Sequence, residues 1–122
     1  MKTNEIMNKL SGYKEKLVNY QCQLSQVEKK VQYKDAENFG MYKPLIESEF
    51  ERLDTILFGL EVSLANIKSM VNGGCAFCDL DMSDIEKMMT EEVKYSEKFI
   101  KPTVKEIEEK MESAIEGVLK YE

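Results

Sequence analysis

The sequence predicts an all-α protein, an antiparallel three-helix bundle with coiled-coil-like packing. Three observations carry that reading. Apolar residues recur at alternating steps of four and three over two long stretches and part of a third, which is the spacing of a helix face packed along its length. The breaks between stretches are short and carry turn-forming residues, Asn38 and Gly40 in the first and Gly73 and Gly74 in the second. No strand pattern is visible. A chain of 122 residues fits a single domain, residues 1–122.

The first stripe runs Ile6, Leu10, Tyr13, Leu17, Tyr20, Leu24, Val27, Val31 and predicts a helix from an N-cap at Thr3 to about Tyr33. Gly12, beside Ser11, is a weak point. Tyr13 and Tyr20 need partners for their hydroxyls or a place near the rim. Residues 34–43 are expected to form the first connection, around Asn38 and Gly40. Phe39, Met41 and Tyr42 within it are expected to fold back over one end of the bundle.

The central helix is expected from Pro44, which suits a first helical position. Its seam is Ile46, Phe50, Leu53, Leu57, Leu60, Leu64, Ile67 and Val71. Gly73 and Gly74 supply a stop. At 1.5 Å per residue this helix is about 42 Å long and needs long partners.

Residues 72–82 form the second connection, and Ser83-Asp84-Ile85-Glu86 reads as a capping box opening the third helix. Ile85, Met89, Val93 and Ile100 drift across its first half. The regular beat returns with Val104, Ile107, Met111, Ala114, Val118 and Tyr121. Pro102 interrupts, so this helix is expected to be kinked or split there, with the kink favoured because no capping or turn residue stands nearby. Short connections make neighbouring helices antiparallel and the first and third parallel.

The net charge is −6, which argues against direct binding to nucleic acid or to an anionic membrane surface. The charge is uneven. Residues 1–43 carry eight lysines and five acids, and residues 75–122 carry seven lysines and thirteen acids. The first and third helices should therefore attract each other. With no apolar leader, no run near 20 apolar residues and an odd three cysteines, the chain is expected to be cytoplasmic. Absence of histidine removes His-based triads, His-ligated zinc and the Glu-x-x-His di-iron bundle, which makes an enzyme an unfavoured reading.

Cys75-Ala76-Phe77-Cys78 is half a zinc site. Asp79 or Asp81 would add only oxygen, a poor ligand for a structural site, and Cys22 falls on the outward face of the first helix, so completion would come from a second chain. Such an arrangement resembles the zinc hook at the apex of some antiparallel coiled coils, where two C-x-x-C pairs share one metal. The likeness covers these four residues and the helix–loop–helix setting, and Ala76 stands where the hook usually has proline. Packing of Cys75 and Phe77 over the bundle end is the plainer reading, and no cofactor is otherwise implied. Met70, Met82, Met88 and Met89 cluster near the same end, as gap fillers or as an adaptable surface.

The acids of the third helix, Glu91, Glu92, Glu97, Glu106, Glu108, Glu109, Glu112 and Glu116, could mimic a phosphate backbone and inhibit a nucleic-acid-binding protein. Lysines four residues after Glu97, Glu106 and Glu116 partly neutralise that row. The central helix carries another signal. Phe58, Val62 and Ala65 lie off its seam at helical spacing, and Gly59 beside them would admit a close backbone. These four residues are the expected contact surface for a protein partner or a second copy. The alternative is that the seam is rotated and they are core. The function expected is therefore non-catalytic protein–protein interaction. Phosphate mimicry and a metal or redox response at Cys75 and Cys78 are the other classes. Steep salt sensitivity would mark the first, sensitivity to chelator or reductant the second.

Overall fold

The computed structural model describes residues 1–31, 36–70 and 81–119, and their side chains apart from those of residues 36 and 116–119. Three helices make the fold: α1 (Thr3–Lys30), α2 (Ala36–Ser69) and α3 (Met82–Leu119). No described residue is in a strand. The expected all-α three-helix bundle is what the chain forms. Val71, the Gly73–Gly74 stop, Cys75 and Cys78 lie outside the described residues.

Ion pairs between helices fix the topology. Lys9 pairs with Glu97 and Lys16 with Glu108, so positions rise together and α1 runs parallel to α3. Lys14 pairs with Glu61 while Glu28 pairs with Lys43, so α1 and α2 run in opposite directions. The basic first helix does lie beside the acidic third.

One apolar core runs the length of the bundle. Every expected seam residue of α2 from Ile46 to Leu64 is buried, and Ile67 packs partly against them. From α1 come Ile6, Leu10, Leu17, Tyr20 and Leu24, with Tyr13, Val27 and Val31 at the edge. α2 and α3 share by far the larger interface, and α1 packs more lightly on both.

Several local expectations need correction. The first connection is shorter than expected: α2 begins at Ala36, and Pro44 sits inside it. Proline there leaves the Gly40 carbonyl without its helical donor. Gly40 is exposed, so water can serve that carbonyl. The extra turns bury Phe39 and half-bury Tyr42, and full burial of such a side chain is worth roughly 1.5–3 kcal/mol. They also bring Lys43 Nζ to 2.8 Å from Glu28. Met41, expected to cover the end with them, is exposed.

α1 has no side-chain cap; its N-cap is Lys2 and Thr3 is already helical. At α3 the capping box lies two residues earlier than expected. Asp81 Oδ1 accepts from the Asp84 amide at 2.9 Å, and Asp84 Oδ2 accepts from the Asp81 amide at 3.3 Å. Aspartate caps as well as serine does, and this placement lets Ile85 point fully into the core. α3 is one helix through Pro102, so the split is absent. Next to the proline, Thr103 Oγ1 donates to the Phe99 carbonyl at 2.7 Å.

The drift in α3 is a seam completed by polar residues. Ser96, Glu97 and Thr103 are buried alongside Val93, Ile100 and Val104. With them included, buried positions follow one another at steps of three or four all the way from Ile85 to Ala114.

Candidate interaction surface

On α2 the seam points inward, and about 100° per residue carries Phe58 to the opposite side. Phe58 is 65% exposed. Val62, Ala65 and Gly59 are exposed too, and a Cβ built on Gly59 would meet nothing within 4 Å. The seam is therefore not rotated, and the four expected residues share one uncovered face.

That face continues onto α1. A shallow groove of about 330 Å³ lies between the helices, with Leu17 and Leu57 at its base and Val18 and Phe58 on its rims. Val18 is 54% exposed and is not among the residues expected on this surface. Its signal was an apolar residue one place after the seam residue Leu17, the same kind of signal that marked Phe58 beside Leu57. The Lys14–Glu61 pair, 2.6 Å, spans the groove, and Asp54 and Gln21 complete its lining.

The position of α1, and so of Val18, is set by two tyrosines. Tyr13 Oη donates to Glu97 Oε2 at 2.5 Å, and Tyr20 Oη donates to Glu108. Glu97 is 8% exposed and also receives Lys9 at 3.2 Å and Lys101 at 3.6 Å. Burial pushes the Glu97 carboxyl up, but the Tyr13 hydrogen bond and the two ammonium groups outweigh it and hold it below the ordinary carboxylate value. Burial first, then the hydrogen bond and charge of Glu97, push the Tyr13 phenol up to about 12. Tyr20 is raised for the same reasons against Glu108. Both hydroxyls thus stay protonated donors over the physiological range.

These contacts also thin the acidic row of α3. Glu97 and Glu108 are engaged by α1, and Glu106 lies 3.7 Å from Lys110. Glu91, Glu109 and Glu112 remain exposed. Cys22 is a free, exposed thiol, as its place off the seam implied. Among the described residues no group of three or more acids or cysteines is placed to hold a metal ion, and no helix is long and apolar enough to cross a membrane.

A second exposed aromatic face, not anticipated from sequence, lies on α3. Tyr95 is 58% and Phe99 50% exposed, and their rings meet edge to face with centroids 5.4 Å apart. Around them Lys94, Lys98, Lys101, Pro102 and Lys105 are all exposed. The drifting stripe hid this face: with Ser96 and Glu97 unrecognised as seam, the outward side of the helix could not be located.

Comparison with protein-family models, with curated proteins and with solved structures finds no match, so the functional reading rests on the chain's own residues.

Proposed function

We propose that this chain is a non-catalytic binding module whose outer α2 face takes another protein chain. The observation that supports it most is the joint exposure of Phe58 and Val18 on the two rims of one groove, next to a core already complete without them. Exposed apolar residues that cluster mark contact surfaces far more often than scattered ones do. An incoming helix would cover Phe58 and Val62 and run close over Gly59, where no side chain stands in the way. Leu17 and Leu57 beneath make the floor rigid.

Phosphate mimicry by α3 is the weaker reading, because Glu97, Glu106 and Glu108 are engaged by lysines or tyrosines of the chain itself. The test is association of the purified chain and retention of partners from the native host, compared with Phe58→Asp and Val62→Lys. Loss of both in the variants, with the helical signal intact, supports the module. Unchanged association or retention in both variants refutes it.

A further inference from the structure

The two uncovered aromatic faces differ in charge. On α2, exposed Glu47, Glu51, Asp54 and Glu61 accompany Phe58 and Val62. On α3, exposed Lys94, Lys98, Lys101 and Lys105 accompany Tyr95 and Phe99, and the one acid in that stretch, Glu97, is buried. Among the described residues Glu51 and Asp54 have no ion-pair partner, and in the lysine row only Lys101 has one. The chain is net negative, so this lysine band is a local reversal of its overall charge.

Helix geometry makes the faces complementary in detail. At about 100° per residue, Asp54 and Glu61 fall on one flank of the Phe58–Val62 line. Lys94, Lys98, Lys101 and Lys105 fall on the same flank of the Tyr95–Phe99 line when each helix is viewed from its N-terminus. Two such faces bring their charged flanks together only if the helices run antiparallel. With Phe58 set opposite Phe99, the antiparallel register puts Tyr95 opposite Val62. Glu61 then falls between Lys94 and Lys98, and Asp54 between Lys101 and Lys105.

We propose that the basic aromatic face of α3 docks antiparallel on the acidic apolar face of α2 of a second copy of this chain. The inference rests on the reading of the α2 face given above and names its occupant. Because the two faces differ, each copy offers one of each, and the contact is head to tail. The Glu49–Lys110 pair, 3.3 Å, sets α2 against α3 within one chain and places Phe58 and Phe99 within about 3 Å of the same level along the bundle. Docked copies therefore stand side by side with their axes parallel. Apolar contact holds them, and the charged rows select orientation.

The experiment is sedimentation velocity on the full chain, on Phe58→Asp, on Phe99→Asp and on an equal mixture of the two variants. The wild type should grow in mass with concentration, and association should weaken several-fold in high salt. Each variant alone should be monomeric. The mixture should restore a dimer and nothing larger, because it joins the intact α3 face of one variant to the intact α2 face of the other. Val62→Lys and Tyr95→Asp repeat the design should either phenylalanine variant lose its helical signal. A mixture that stays monomeric, or a wild type that stays monomeric at high concentration, overturns the proposal. Wild-type association by Phe99→Asp, with Phe58→Asp monomeric, overturns it while leaving the α2 face as the binding surface. Wild-type association by both variants removes that surface as well.

Discussion

The seam between α2 and α3 and the seam between α1 and α3 hold one bundle by different chemistry. The α2 stripe is aliphatic or aromatic throughout, and α2 packs more closely on α3 than α1 does on either. α1 presents two tyrosines at its seam, and their hydroxyls end on Glu97 and Glu108. Apolar burial is indifferent to pH and nearly indifferent to angle. A phenol on a carboxylate fixes both register and rotation, at the risk of titration. The hairpin of α2 and α3 is thus the stable body, and α1 is a helix fastened to it in one register. Val18 reaches the groove because of that fastening.

Breaking the apolar seam should cost most. Leu53→Ala and Ile100→Ala each empty a fully buried site, and such truncations cost about 2–5 kcal/mol. Urea unfolding should show midpoints lowered in proportion, with all three helices lost together.

The tyrosine seam should give smaller effects, confined to α1. Tyr13→Phe leaves Glu97 to its lysines, and a hydrogen bond to a charged group is worth about 1.5–3 kcal/mol when well shielded. The rim here is half-open, so a loss near ~1 kcal/mol is expected. Hydrogen exchange should quicken in α1 before it does in α2 or α3.

Acidity should separate the seams further. The Glu97 carboxyl is held low in the folded chain, so its contribution is present above the ordinary carboxylate value and is lost as pH falls through the folded one. Below about pH 4.5, α1 protection should fall while that of α2 and α3 persists. Glu97→Gln should remove the part of this slope that Glu97 supplies. At the alkaline end the sign reverses. Tyr13 is raised, so its stabilisation is complete below its ordinary value of 10.0 and drains away as pH climbs toward about 12. Tyr13→Phe should flatten that limb.

The same contrast explains what could be read from the sequence. Stripes made of apolar residues were legible to the residue, from Ile6 to Leu24 and from Ile46 to Leu64. The polar seam was not, because Ser96, Glu97 and Thr103 are core residues only by virtue of partners on another helix. Periodicity cannot see a partner. Losing those three positions made α3 look irregular and concealed Tyr95 and Phe99. Pro44 misled in the opposite way: its local preference for a helix start yielded to the burial of Phe39 one turn earlier. Phe39, Tyr42 and Ile46, at steps of three and four, already continued the stripe. On α2 the outward residues Phe58, Gly59, Val62 and Ala65 were legible, because a seam without gaps also defines its opposite side.

Two neighbours on α2 bring the account to a single comparison. Leu57 is buried at the base of the groove, and Phe58 stands on its rim. Thermal melting and sedimentation of Leu57→Ala and Phe58→Asp, measured on the same samples, test whether stability and association occupy separate faces. Leu57→Ala should lose about 2–5 kcal/mol of stability. Phe58→Asp should melt within about 0.5 kcal/mol of the wild type, as surface substitutions do, and should no longer associate. A Phe58→Asp protein that unfolds, or that associates as the wild type does, would contradict the account.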